Sequence, residues 1–131
     1  MANEKELRQI YAEILLDLAQ ADDRIVVLEA DLMKATGTTS FKENFPNRFI
    51  DVGVAEANMI GIAAGLAVTG KIPFAHSFTP FATRRVLDQI AISIAYAKLN
   101  AKIGGTDPGV TAELNGGTHM SVEDAGLIRS I

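Results

Sequence analysis

The sequence predicts an α/β fold, an open, doubly wound and mostly parallel sheet flanked by helices. Three observations predict it. Arg24 to Ala30, "RIVVLEA", is short, β-branched and almost continuously apolar, the pattern of a parallel strand covered on both faces. Further strand-like runs follow at Arg48–Val54, Ile72–Ser77 and Ala101–Gly105, separated by helical stretches of crossover length. Polar or aromatic residues stand at the carboxyl ends of these runs, where such sheets bind ligands.

The elements can be justified in order. Leu7, Ile10, Tyr11, Ile14, Leu15 and Leu18 make one helical stripe, with Asn3 as its cap and Glu6 completing a capping box. Asp22-Asp23 breaks that helix, and the first strand ends at Asp31. Residues 33–47 carry Gly37, Pro46 and Asn47 and read as a loop with one short helix. The second strand is 48–54 and a helix fills 56–68, ended by Gly70. After the third strand, Thr79-Pro80 opens a helix with Thr79 as N-cap and Pro80 at the first helical position. Val86, Leu87, Ile90, Ile94 and Ala97 form its core face, and it stops at Asn100. A weak fourth strand precedes a long polar loop, 107–118. Ser121-Val-Glu-Asp124 has the form of a capping box opening a last short helix. Residues 1–131 read as one domain, incomplete at its C-terminal end, because a parallel sheet would continue beyond Ile131.

Bulk properties narrow the function. The chain of 131 residues is 48% hydrophobic and 21% charged, which marks a globular and not a disordered protein. The net charge is −4, and no basic cluster exceeds Arg84-Arg85, so nucleic acid is not an expected partner. No apolar run is long enough to span a bilayer and no signal-peptide layout is present. Cysteine is absent, which removes disulfide and thiolate chemistry and makes the cytoplasm the expected compartment.

The helix at 56–68 is unusual. Ala57, Gly61, Ala64, Gly65 and Val68 form a ridge almost without side chains. An interior glycine costs about 1 kcal/mol relative to alanine. Two uses fit such a ridge, close packing on the domain's own sheet or close approach of a helix from another subunit. Glu56 begins the helix, where the helix dipole favours a carboxylate. Neither observation alone distinguishes structure from site.

Three blocks in order, "RFIDVGVAEANMIGIAAGLA", "PFAHSFTPFATRRVLDQI" and "GGTHMSVEDAGLIRSI", make the chain resemble the pyrimidine-binding domain of transketolases from about Asp22 onward. The resemblance is greatest to the separately encoded C-terminal section of split transketolases. It implies the thiamine-diphosphate pyrimidine-binding fold and transfer of a two-carbon ketol unit between sugar phosphates. It carries Glu56 to the glutamate that hydrogen-bonds N1′ of the cofactor's aminopyrimidine. A carboxyl sharing a proton there stabilises the imino tautomer, the base for the proton on the cofactor's C2. The group needs an apolar shell that excludes water, and Val52, Val54 and Met59 would supply part of it. Phe78 and Phe81 match aromatic positions beside the ring. His119 matches a histidine facing the substrate, and Asp31 an aspartate near the thiazolium. His76 has no role in the resemblance and reads as structural.

Departures and gaps accompany the match. Asp107 stands where many transketolases carry histidine, and Leu114-Asn115 where they carry an acidic pair, which implies a different donor or acceptor sugar. The chain has no Gly-Asp-Gly motif for Mg²⁺ and diphosphate. The resemblance therefore implies that a partner, the N-terminal transketolase section, holds the metal, and that the active form is a homodimer of such pairs. A rival reading is a non-catalytic binding or assembly module with the same fold. A generic nucleotide-binding domain is disfavoured, because neither Gly-x-Gly-x-x-Gly nor a P-loop is present.

Overall fold

A computed structural model describes residues 4–131, so the expected cap at Asn3 lies outside the described residues. Four parallel strands, β1 (Ile25–Glu29), β2 (Phe49–Asp51), β3 (Ile72–Phe78) and β4 (Lys102–Thr106), form one sheet in the order β2-β1-β3-β4. The chain steps from β1 to β2 on one side and then crosses to β3 on the other. The switch point between β1 and β3 opens a crevice at their carboxyl ends.

The pleat divides the core. Ile25 and Val27 face helices α1 (Leu7–Ala21) and α3 (Thr39–Asn44), packing with Leu15, Ala19 and Phe41. Val26, Leu28 and Ala75 face α4 (Glu56–Val68) and the segment after β3, packing with Met59, Ile60, Ala63, Val86, Ile90 and Ile94. All five residues of β1 are buried because both faces are covered.

Several elements depart from expectation. In α1 the buried positions are Ala12, Leu15 and Ala19, while Leu7, Ile10, Ile14 and Leu18 are exposed and Tyr11 is half-buried. The small alanines let the helix lie close to the sheet, rolled away from its bulkier stripe. Glu6 is the residue preceding the helix, and its N–H donates to the Gln9 side chain at 2.9 Å. Residues 33–47 hold two short helices, α2 (Met33–Thr36) and α3, and lead into a 3-10 turn at Pro46–Arg48. Gly37, at φ +86°, ends α2 in the left-handed region that glycine enters without a Cβ penalty. Strand β2 is shorter than expected. Asp51 Oδ1 accepts from the N–H groups of Gly53 and Asp31, and Gly53 at φ +72° turns the chain out of the sheet.

The expected continuous helix after Thr79 is broken. Thr79 is the first residue of α5 (Thr79–Ala82) and not its cap, and its hydroxyl donates to the Thr106 carbonyl at 2.8 Å. The Thr83 hydroxyl takes the Thr79 carbonyl at 2.7 Å, and the backbone leaves helical geometry at Thr83 (φ −124°, ψ −88°). A 3-10 turn at Arg84–Val86, a short α6 (Leu87–Gln89) and a π-helical run at Ile90–Ala95 follow. Val86, Ile90 and Ile94 are buried as expected, Leu87 is half-buried and Ala97 is exposed. The expected box at Ser121 does not form. Ser121 is buried with its hydroxyl unpartnered, its backbone pairs with Gly109, and α7 (Asp124–Ile128) starts after Glu123.

Four of the five ridge residues on α4 point outward, while Ala64 is buried in the core. Ala57, Gly61, Gly65 and Val68 are exposed, and beyond the helix's own backbone nothing lies within 4 Å of where a Cβ on Gly61 or Gly65 would sit. Packing on the domain's own sheet uses the opposite face, through Met59, Ile60 and Ala63, so it does not account for the two glycines.

Candidate active site at the carboxyl edge of the sheet

Glu56 is the first residue of α4, immediately after the turn made by Gly53, and it is 3% exposed. Its two oxygens have separate partners. The Ser77 hydroxyl, on β3, donates to Oε1 at 3.0 Å, and Arg85 Nη1 donates to Oε2 at 2.9 Å. The expected apolar shell is only partly there. Met59 is fully buried one turn along, Val52 is half-buried, and Val54 is 75% exposed. The carboxyl is satisfied by a buried hydroxyl and a guanidinium in place of that shell, as a buried acid requires.

Arg85 connects the carboxylate to a group of rings. Its guanidinium lies over the Phe81 ring, 3.7 Å from the centroid. Phe81, Phe78 and His119 meet edge to face, with centroids 5.0 Å apart for Phe81–His119, 5.8 Å for Phe78–His119 and 6.3 Å for Phe78–Phe81. Arg84 points the other way. It donates to Glu123 at 2.7 Å and to the Thr118 carbonyl at 3.2 Å, fastening the loop that carries His119. The break at Thr83 lets two adjacent arginines serve the carboxylate and the loop separately.

Four of the five expected residues, Glu56, Phe78, Phe81 and His119, are thus brought together. Asp31 shares the edge but stands apart. It is exposed, in the left-handed region at φ +61°, and its N–H donates to Asp51. Ser77, Arg84 and Arg85 are additions. Arg85 lies four residues after Phe81, but the chain leaves helical geometry at Thr83 between them, so helical spacing does not announce the contact. Ser77 is signalled only as a hydroxyl on the apolar face of "IPFAHSF".

The other face of β3 holds a separate polar cluster. The Tyr11 hydroxyl is 2.6 Å from His76 Nε2, and His76 Nδ1 is 3.3 Å from the Leu28 carbonyl and 3.6 Å from Glu29 Oε1. Burial pushes His76 down to about 4 and the Tyr11 hydroxyl well above its usual range. Glu29 is pushed up to about 7, chiefly by burial, against the opposing hydrogen bonds from Thr38 and Thr36. These groups hold α1 and the 36–38 turn to the sheet. Among the described residues, no group of three or more His, Cys, Asp or Glu could hold a metal ion, and no helix is long and apolar enough to cross a membrane.

The profile "Transketolase, pyrimidine binding domain" matches residues 3–131. The chain belongs to the transketolase pyrimidine-binding family. It is 64% identical over 125 residues to a 6-deoxy-6-sulfo-D-fructose transketolase subunit of Clostridium sp., covering 95% of this chain and 39% of that protein. It is 47% identical over 127 residues to a putative transketolase C-terminal section of Methanocaldococcus jannaschii, covering 97% of this chain and 40% of the relative. Among solved structures it resembles a split gene transketolase described as an inactive beta4 tetramer, with a TM-score of 0.80, 44% identity and coverage of 95% and 39%. It also resembles the transketolase of Campylobacter jejuni, with a TM-score of 0.84, 25% identity and coverage of 94% and 20%. The chain therefore spans about two fifths of the length of its first two relatives. The doubly wound pyrimidine-binding fold expected from the sequence is the fold of these neighbours.

Proposed function

We propose that this chain is the pyrimidine-binding part of a split transketolase and acts with an N-terminal section that binds Mg²⁺ and the diphosphate of thiamine diphosphate. The observation that carries the proposal is the buried Glu56 carboxylate at the start of α4, linked through Arg85 to the rings of Phe81, Phe78 and His119. This donor set fits a flat nitrogen heterocycle, with a carboxylate for a ring nitrogen and aromatic rings for its faces. When bound, the cofactor supplies the carbon nucleophile for ketol transfer. Glu56 holds a proton at N1′, Ser77 fixes the carboxylate through Oε1, Phe78 and Phe81 orient the ring and exclude water, and His119 faces the sugar. Asp31, on the same edge, would stand near the thiazolium when the cofactor is bound.

The bare ridge of α4 is suited to close contact with a second copy, which supports a homodimer of subunit pairs. The substrates are ketose and aldose phosphates or their 6-sulfo analogues. The name of the 64% relative, with Asp107 and Leu114-Asn115 in the loop, favours a 6-sulfo ketose as donor. The cytoplasm fits a sugar-phosphate enzyme without cysteine. The rival reading of a non-catalytic assembly module draws support from the "inactive beta4 tetramer" formed by a similar subunit.

The experiment is hydrogen–deuterium exchange at cofactor C2 in the complex with the partner section. Glu56→Gln keeps the shape but cannot share its proton in the same way. It should slow exchange by about 10²–10³, the usual cost of one preorganised electrostatic contact. Unchanged exchange would make Glu56 only a helix-start glutamate and leave the assembly module standing.

A further inference from the structure

Glu56 has two oxygens, and both have donors. Oε1 is held by Ser77, which is fully buried on β3 and cannot leave without moving the strand. Oε2 is held by Arg85, whose side chain is 43% exposed and borders solvent. The same guanidinium covers the face of Phe81 at 3.7 Å. A guanidinium is planar and delocalised, stacks on aromatic faces and donates N–H groups in its own plane to a carboxylate. An aminopyrimidine is also planar, stacks on an aromatic face and engages a carboxylate in its own plane.

We infer that Arg85 is a displaceable placeholder for the cofactor's pyrimidine, occupying on Glu56 Oε2 and on Phe81 the two contacts that the ring takes over when it binds. The inference rests on the thiamine diphosphate reading above and adds a residue and a step that the family match does not assign. The guanidinium and a stacked ring cannot share the same face of Phe81, and the more exposed of the two Glu56 donors is the one that yields. Ser77 stays and keeps the carboxylate aimed. The exchange also changes what Glu56 can do. Paired with a guanidinium it is a closed ion pair; released from Arg85 it can share a proton with a ring nitrogen. Arg85 thus keeps a buried carboxylate satisfied and the ring seat in shape until the pyrimidine arrives, at a cost to cofactor affinity.

The test is calorimetric titration of thiamine diphosphate, at saturating Mg²⁺, into the complex of the full-length subunit and its diphosphate-binding partner. Breaking a part-exposed ion pair and an exposed cation–π contact together opposes binding by roughly fivefold to thirtyfold. Arg85→Ala should tighten the cofactor by about that factor, while Arg85→Lys, which lacks the flat fork, should fall between. In a Glu56→Gln background the gain from Arg85→Ala should shrink, because the ion pair is already gone. An Arg85→Ala complex that binds the cofactor no tighter than wild type, or more weakly, overturns the placeholder and makes Arg85 a support that stays in the loaded site. A wild-type complex that sediments as an intact assembly yet takes up no cofactor overturns the thiamine diphosphate reading and the placeholder with it.

Discussion

Tyr11 on α1 and His76 on β3 are joined by a hydrogen bond of 2.6 Å at the centre of a buried polar cluster. The Leu28 carbonyl, 3.3 Å from Nδ1, can only accept, so a neutral imidazole carries its proton on Nδ1 and accepts from the tyrosine hydroxyl at Nε2. Tyr11→Phe would leave a buried ring nitrogen without a partner. It should cost about 1–3 kcal/mol in chemical denaturation. Gly104→Ala strikes the same ring, since a Cβ there would stand 2.6 Å from His76 Cδ2. With the imidazole held by Tyr11, the clash cannot be relieved by rotation, and a similar loss of about 1–3 kcal/mol is expected.

Glu29 and His76 should give opposing pH dependences. The folded Glu29 pKa is raised from 4.5 to about 7, so its contribution is fully present below pH 4.5 and is lost as pH rises through about 7. The folded His76 pKa is lowered from 6.5 to about 4, so its contribution is present above pH 6.5 and is lost as pH falls through about 4. Between about pH 4.5 and 6.5 the two slopes largely cancel. Glu29→Gln removes one of them. Denaturant midpoints of this variant should rise steadily from pH 4.5 to 6.5, by up to about 2–3 kcal/mol in stability, where the wild type stays nearly level. Parallel profiles for the two proteins would contradict the assignment.

Gly61 separates folding from assembly. Nothing opposes a Cβ at this position, so Gly61→Ala should stabilise the isolated chain by about 1 kcal/mol through helix propensity. Gly61→Leu projects from the same ridge and should weaken self-association measured by sedimentation, without unfolding the monomer. An assembly unaffected by leucine would remove the ridge from the interface.

Arg84 fastens the His119 loop by its contacts with Glu123 and the Thr118 carbonyl. Arg84→Ala should leave the fold intact but free the loop. Amide exchange across residues 117–121 should accelerate by about tenfold, as for a segment stripped of its local tethers. Exchange in β1 and β3 should not change.

What the sequence makes legible follows the range of the forces involved. The strands at Ile25–Glu29 and Ile72–Phe78 and the helix at Glu56–Val68 are legible because apolar runs and Gly70 declare them locally. The break at Thr83 is not, because Val86, Ile90 and Ile94 keep helical spacing while one threonine hydroxyl captures the carbonyl of Thr79. Glu29 passes as a strand residue, since Thr36, Thr38, Tyr11 and His76, which surround it, come from three other segments. Glu56, Phe78, Phe81 and His119 stand out through family resemblance. Ser77 and Arg85 do not, for their meaning depends on which oxygen of Glu56 each one reaches.

The strand order β2-β1-β3-β4 also governs how the chain reaches this state. The central strand β1 finds its longest partner only when Ile25 meets Ile72 and Glu29 meets His76. Until β3 has been synthesised, Val26 and Leu28 have no neighbouring strand on that side, and His76 is not there to receive Tyr11. Pairing at such separation is slow, because loop closure must precede the contacts that reward it. Before that, β1 pairs only with the three residues of β2, and its other edge stays open to chaperones and to aggregation until β3 closes the core.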